Sequence, residues 1–369
     1  MSSPAIHTAP LVRIAKRDGI ALWKSCLIRL AAVFLALVLS GLFIYSLTKL
    51  NPVDVYKAMY AGAFGTSRRT WITVREVMTL LCIAIGLAPA FKMRFWNIGA
   101  EGQVLIGGIV TAGMMIHLGN TMPTPLLLLV MGVASLAAGA VWGLIPALFK
   151  ARWNTNETLF TLMLNYVAIQ LTSYCVSLWE NPYGSNVVGQ INQQTRSGWF
   201  PELFGISCGL NVLLVLVLTV GMYIYLRYSK QGYEIAVLGE SVNTARYAGI
   251  KPSKVIIRTM ILSGAICGLA GFIAVAGADH TISVDTAGGR GFTAIIVAWI
   301  AKFNTFVMLL ISLLLVFLQQ GAIEIATQFG LNDFAANVIT GIILFCIIGS
   351  EFFINYRLIP RSGKEAKGA

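Results

Sequence analysis

The stretch that decides the fold reads Arg94-Phe95-Trp96-Asn97-Ile98-Gly99-Ala100-Glu101-Gly102-Gln103. It places polar side chains and two glycines between two uncharged runs of 15 residues each, 77–91 and 104–118. A helix that crosses the hydrocarbon core of a bilayer needs about 20 residues, so neither run is expected to cross alone. Irregular backbone survives at that depth only where protein buries it or where it lines a cavity. Either the two runs lie at the membrane interface, or the polar stretch itself enters the membrane as a break between helices.

The composition is that of a membrane protein. Of the 369 residues, 57% are hydrophobic and only 11% are charged, whereas soluble domains carry about 25% charged residues. The net charge of +12 does not indicate nucleic acid, because the basic residues lie at the ends of apolar segments and so reflect membrane orientation. The six cysteines and three histidines show no metal-ligand spacing. No metal and no cofactor is therefore expected.

Apolar runs recur along the whole chain. They fall at 27–47, 74–91, 102–118, 124–149, 157–179, 203–227, 256–278, 290–301, 303–324 and 334–354. The chain is therefore predicted to be an all-α integral membrane protein with about ten transmembrane segments. Residues 1–26 are expected to form a polar N-terminal arm without a cleavage site, 27–355 the transmembrane domain, and 356–369 a C-terminal tail.

Loop charges predict the orientation of these segments. With the N-terminus inside, 20 of the 27 lysines and arginines lie on the inner side. Both termini are therefore predicted to be cytoplasmic. The outer segment 48–73 fits this assignment least well, because it carries several basic residues.

The second half contains a similar polar break. Asp279, His280 and Asp285 precede a glycine-rich stretch, 287–292, which leads into a short uncharged run ending at Ala301. The two breaks would run in opposite directions through the membrane. Inverted repeats with broken helices are typical of transporters, and the broken helices mark the substrate path.

The longest connection on the predicted inner side, 228–254, carries helix start and stop signals. Ser241 can cap a short helix that ends at Ala248, and Gly249 suits the position just past its end. Pro252 blocks continuation, and Ser253 is expected to cap the following membrane helix. A short helix on the cytoplasmic face follows from these signals, either as a coupling element or as an ordinary connector.

Enzymatic motifs are missing from the sequence. No phosphate-binding loop of the form G-x-x-x-x-G-K-[ST] occurs, so the chain is not expected to hydrolyse ATP itself. Glu76 and Glu351 are expected to be solvated near segment ends. For Glu101 and Glu157, hydrogen bonding to helix ends and a place on the substrate path both remain open.

Four stretches resemble permease subunits of binding-protein-dependent ATP-binding-cassette (ABC) importers, in the branch that serves simple sugars and nucleosides. They are Asn97–Gln103, Asn156–Tyr166 with its N-E and M-L-N-Y ends, Gly239–Ile250, and Gly289–Ile295. The stretches occur in the family's order, and the resemblance covers about residues 30–355. Trp96 and the bulky stretch 298–302 depart from the family's pattern.

The resemblance implies a nucleoside-type permease in the bacterial cytoplasmic membrane. Its implied partners are a second, related permease, two cytoplasmic ATPases and an extracellular or periplasmic substrate-binding protein. Residues expected on the substrate path are Asn97, Glu101, Gln103, Glu157, Asn165, Arg290 and Phe292. Residues expected to couple the chain to the ATPases are Gly239, Glu240, Ser241, Ala245, Arg246, Tyr247, Ala248 and Gly249.

Three alternatives remain at this point. The solute could be a simple sugar such as ribose or galactose. The chain could be an ion-coupled carrier that works alone, because inverted repeats occur in that class as well. A lipid-modifying enzyme centred on Asp279, His280 and Asp285 is the third.

Overall fold

The computed structural model describes residues 12–17, 22–49, 51–203, 205, 208–330 and 333–360. These residues form two units. The larger is Thr66–Phe317, and the smaller comprises the described residues before Thr66 and after Phe317. The larger unit contains every residue predicted for the substrate path and for coupling.

Helices account for most of the described chain. In chain order the elements are β1 (Val12–Lys16), α1 (Leu22–Thr48), α2 (Pro52–Phe64), α3 (Ser67–Lys92), α4 (Ala100–Leu118), α5 (Thr124–Trp153), α6 (Glu157–Trp179), α7 (Gly209–Tyr228), α8 (Lys230–Glu240), α9 (Val242–Tyr247), α10 (Pro252–Ala274), a π-helical turn (Val275–Asp279), α11 (Arg290–Ile300), α12 (Thr305–Phe329), α13 (Asp333–Asn355) and β2 (Tyr356–Pro360).

The all-α prediction holds except for one short β-ribbon. Strands β1 and β2 pair antiparallel, with Val12 opposite Pro360 and Lys16 opposite Tyr356. The ribbon therefore joins parts of the two arms that were predicted as separate tails. Two paired strands lie on the same side of a membrane, so the described parts of both arms share one side. Which side that is remains a prediction, and residues 361–369 lie outside the described part.

Seven helices in the described residues are long and apolar enough to cross a membrane: α3, α4, α5, α6, α7, α10 with its π-helical turn, and α12. Three further apolar helical stretches are shorter, namely Leu30–Ser46, Arg290–Ile300 and Gly341–Ile354. All ten predicted apolar runs thus coincide with helices, but ten full crossings are not confirmed.

The prediction that the apolar run 77–91 is too short to cross a membrane alone is wrong, because this run belongs to the longer helix α3. It has 26 residues, about 39 Å at 1.5 Å per residue, and it includes the charged residues Arg75 and Glu76. Thr66 starts the helix, because its side chain accepts a hydrogen bond from the backbone N–H of Arg69. The preceding segment, which was predicted to lie outside, also contains a helix that was not predicted, α2, which is capped by Asn51.

The predicted helix signals in 228–254 are mostly confirmed. Ser241 Oγ accepts from Thr244 N–H at 3.3 Å and caps α9, and Gly249 has the expected left-handed φ of 76°. Pro252 stands at the start of α10, whose N-cap residue is Lys251. The prediction for Ser253 is wrong: it lies inside α10, and its hydroxyl donates to the carbonyl of Ala151.

Glycines allow α10 to pack closely against α4 and α5. The backbones of Gly139 on α5 and Gly264 on α10 approach so closely that a Cβ on either glycine would collide with the carbonyl of the other. Gly107 on α4 is equally close to the carbonyl of Gly268. Small residues at helix contacts are typical of membrane bundles, where close packing replaces the hydrophobic effect.

We expect Gly139→Ala to destabilise the bundle. The added methyl group meets backbone, which cannot rotate away, and overpacking of this kind costs about 1–3 kcal/mol. Gly132→Ala on the same helix is the matched control, because its Cβ would lie 3.6 Å from the nearest atom, on Phe272. Thermal unfolding in detergent should show a lower Tm for the first variant and an unchanged Tm for the second. Equal Tm values would contradict the packing described.

Candidate functional site

The predicted break lies between α3 and α4. Residues 93–99 are not helical, and the Asn97 side chain within them is completely buried. Asn97 Oδ1 accepts from the backbone N–H of Gly99 at 3.0 Å, and its Nδ2 donates to Ser263 Oγ at 3.2 Å. Gln103, also buried, is 3.4 Å from the Asn97 amide. These two predicted path residues therefore bond to each other, and Asn97 also bonds to α10.

Helix α6 braces the same break through Asn165. The Asn165 side chain donates to the carbonyl of Ile98 at 2.8 Å and accepts from the backbone N–H of Gly102 at 2.8 Å. One amide thus satisfies a donor and an acceptor that the break leaves without helical partners. Thr161 adds a further bond, because its hydroxyl accepts from the N–H of Ile98 at 3.2 Å.

Glu101 joins the two breaks. Its Oε1 accepts from the backbone N–H of Gly289 at 2.7 Å, and its Oε2 accepts from that of Gly291 at 2.8 Å. The carboxylate therefore caps the start of α11, where free N–H groups and the helix dipole favour negative charge. Glu101 is only 8% exposed. The two polar breaks, 188 residues apart in sequence, meet at this side chain.

Arg290, the first residue of α11, forms an ion pair with Glu76 on α3. Arg290 Nη2 lies 2.5 Å from Glu76 Oε2, and Nη1 donates to the carbonyl of Thr286 at 3.0 Å. The prediction that Glu76 is solvated near a segment end is wrong. Its side chain is only 16% exposed, because α3 continues past it and Arg290 neutralises its charge. The structure does not describe the side chain of Glu351.

Aromatic rings surround the other end of α11. The indoles of Trp96 and Trp299 stack with centroids 5.4 Å apart, and Phe91 meets both edge-on. The two tryptophans that depart from the family's pattern are therefore partners. Phe292 is 46% exposed, and it lies on the same face of α11 as Trp299, seven residues later. The predicted path residue Phe292 is thus exposed, whereas the side chains of Asn97, Gln103 and Asn165 are buried.

Glu157 lies beside predicted coupling residues. Its carboxylate pairs with Lys150 at 2.8 Å. Both residues line a cavity of about 530 Å³, together with Arg94, Gly239 and Arg246. The structure therefore brings Glu157 to the same cavity as Gly239 and Arg246.

The predicted coupling residues divide into buried and exposed groups. Gly239 and Ala245 are buried, and a Cβ on Gly239 would collide with the carbonyl of Lys92 at the end of α3. Tyr247 is 93% exposed, and Ala248 is exposed as well. Ala245 therefore packs within its own chain, and it does not share an exposed face with Ala248. Their role in coupling remains a prediction.

The cluster proposed for a lipid-modifying enzyme has a structural explanation. The His280 ring stacks on Trp199, with centroids 3.7 Å apart. Burial, together with the positive charge of Arg75, lowers the pKa of His280 to about 4, so the imidazole is neutral at pH 7. Asp279 lies 3.9 Å from Arg75, and Asp285 is exposed. Among the described residues no three such side chains are grouped to hold a metal ion.

Asn165→Ala should destabilise the break. It leaves the N–H of Gly102 and the carbonyl of Ile98 without partners, at a cost of roughly 1–3 kcal/mol per buried group. Gln193→Ala, which removes an exposed amide, should leave the Tm in detergent unchanged. A Tm for Asn165→Ala that matches the parent would show that this brace is dispensable.

Sequence reasoning did not find several contributors to the site. Glu76 was assigned to solvent, while Thr161 and Ser263 gave no signal at all. Each becomes recognisable only through a partner distant in sequence: 214 residues for the Glu76 pair and 166 for the Ser263 bond.

The paired breaks, the glycine-packed helices and the capped helix outside the bundle define a membrane permease. The chain belongs to the family described as the branched-chain amino acid transport system permease component, whose sequence model matches residues 71–348. It carries no ATP site of its own, as befits a permease subunit of this family.

Individual relatives are similar along most of the chain. A glucose ABC transporter permease protein of Haloferax volcanii is 28% identical, over 96% of both chains. A guanosine ABC transporter permease protein of Bacillus subtilis is 28% identical, over 88% of this chain and 93% of its own. A nucleoside ABC transporter permease protein of Lactococcus lactis is 26% identical, over 84% and 86%. No solved structure matches the chain.

Proposed function

We propose that this chain is the permease subunit of an ABC importer that moves a nucleoside-type solute across the cytoplasmic membrane. Separate ATPase subunits supply the energy, a binding protein delivers the solute, and a second, related permease completes the pore. The observation that carries this proposal is the junction at Glu101, where the two broken segments meet within the region that matches the family.

The choice of a nucleoside rests on the relatives and on the aromatic side chains. Two of the three relatives described above are named for guanosine or nucleosides. Phe292 and the stacked pair Trp96 and Trp299 are each 42–46% exposed. Flat aromatic faces of this kind suit a planar base, because stacking tolerates any base.

A simple sugar is the second candidate. The glucose permease relative is 28% identical over 96% of both chains. The guanosine permease relative is also 28% identical, so sequence identity supports a sugar as strongly as guanosine. The two candidates differ in what competes for uptake.

Uptake by cells distinguishes them. A strain that lacks this chain, with and without a plasmid copy, is given radiolabelled guanosine. We expect guanosine to accumulate only with the plasmid, and excess unlabelled uridine but not glucose to compete. Accumulation of labelled glucose without guanosine would replace the nucleoside by a sugar. Equal guanosine uptake with and without the plasmid would contradict the proposal.

A further inference from the structure

The segment from the π-helical turn to the start of α11 is tied to α3 and α4 by two ion pairs and one helix cap. Arg75 pairs with Asp279 and also donates to the carbonyl of Ala278 at 2.9 Å. Glu101 caps α11 through backbone N–H groups. Glu76 pairs with Arg290 at 2.5 Å. Each pairing joins a residue of the first half of the chain to one of the second half.

The Glu76–Arg290 pair lies on a membrane helix, one residue before its uncharged run 77–91. At 1.5 Å per residue, Glu76 is about 14 Å from the start of α3 and about 24 Å from its end at Lys92. The side chains of Arg290 and Glu76 are only 22% and 16% exposed. Ionisable side chains so little exposed in a membrane protein are costly and mark functional positions by default.

Stability alone does not account for this pair. Removing two charges from water costs several kcal/mol, and a well-packed apolar pair of similar size is often as stable or more so. An ion pair differs from an apolar contact in that each partner can exchange its companion for water. It therefore suits a contact that breaks and forms repeatedly.

The surroundings of α11 suit a movable element. Its 11 residues lie between two irregular segments, one ending in Gly288 and Gly289 and the other containing Lys302 and Phe303, all four with positive φ. The π-helical turn before the first segment is a feature that recurs at functional sites. Bends at both ends would let this short helix tilt as one unit.

We propose that the Glu76–Arg290 ion pair is a latch that positions α11 and opens once in each transport cycle. Closed, it holds the first turn of α11 against α3; open, it lets the solute pass the exposed face that carries Phe292. This inference rests on the proposed function, because it assumes a solute that passes α11.

An apolar replacement tests the latch. The variant Glu76→Met with Arg290→Met should keep the parent Tm in the reconstituted complex of permeases, ATPases and binding protein. ATP-driven guanosine uptake should nevertheless fall at least tenfold. The reversed pair, Glu76→Arg with Arg290→Glu, should restore uptake to within about threefold of the parent. Parent-like uptake by the apolar variant, or a low Tm with proportional loss of uptake, would overturn the latch and leave a structural ion pair.

A labelling measurement on the complex with Glu76 and Arg290 intact does not depend on those variants. Thr293→Cys in a cysteine-free background places a thiol in the first turn of α11. Its rate of reaction with a thiol reagent should change at least fivefold between the resting complex and the complex trapped with vanadate. Equal rates in both states would contradict movement of α11. Absence of ATP-dependent guanosine uptake in the parent would contradict the proposed function, whatever the labelling shows.

Discussion

Glu101→Ala is expected to abolish uptake and to destabilise the permease. The substitution leaves the N–H groups of Gly289 and Gly291 without acceptors in a site that is 8% exposed. Each unsatisfied buried group costs roughly 1–3 kcal/mol, and the charge that stabilises the start of α11 is lost as well. Thermal unfolding in detergent and guanosine uptake in cells measure the two effects. Uptake should fall more than tenfold, because α11 loses its attachment to α4.

Glu180→Ala is the matched control. The Glu180 carboxylate also accepts two backbone N–H bonds, from Gly184 at 2.7 Å and Asn186 at 2.8 Å, but these bonds are exposed. Water can replace the lost acceptors there, so Tm and uptake should stay close to the parent. If Glu101→Ala also behaves like the parent, Glu101 does not hold α11. Altered solute preference at parent Tm would instead favour its predicted place on the substrate path.

Tyr247→Asp is expected to uncouple the permease from its ATPases. The side chain is 93% exposed, so the substitution removes almost no contact within the chain. Aromatic side chains are favoured anchors at protein interfaces, and an aspartate there would bring a charge into the interface. We expect normal expression, loss of the ATPases on copurification, and uptake at background.

Tyr183→Asp controls for the loss of an exposed tyrosine. Tyr183 is 95% exposed. It lies between the predicted runs 157–179 and 203–227, and an inside N-terminus places that connection on the outer side of the membrane. This variant should retain the ATPases. Ala245→Glu would be a poorer test of coupling, because Ala245 is fully buried and a charge there would disrupt the chain itself. Retention of the ATPases by Tyr247→Asp would remove α9 as the coupling element.

Local features of the fold were predictable from the sequence. Helix caps and helix-breaking residues act within a few residues of the chain. Ser241, Gly249 and Pro252 therefore predicted α9 and the start of α10. The polar break was visible because Asn97 and Glu101 interrupt an apolar pattern. The family resemblance is confirmed by the match over residues 71–348.

Long-range pairings were not predictable. The charges of Arg75 and Glu76 were read as a segment end, because they stand directly before the uncharged run 77–91. Their partners, Asp279 and Arg290, follow more than 200 residues later. The β1–β2 ribbon was not predicted for the same reason. Each strand is too short to show a strand pattern without its partner.

Reconstitution into proteoliposomes tests the central claim, that separate ATPases drive solute transport through this permease. Vesicles that contain both permeases, the ATPases and the binding protein are given radiolabelled guanosine. We predict uptake that requires ATP, stops with a non-hydrolysable ATP analogue, and is absent from vesicles that contain this chain alone. Guanosine uptake by this chain alone, driven by an ion gradient and indifferent to ATP, would contradict the account.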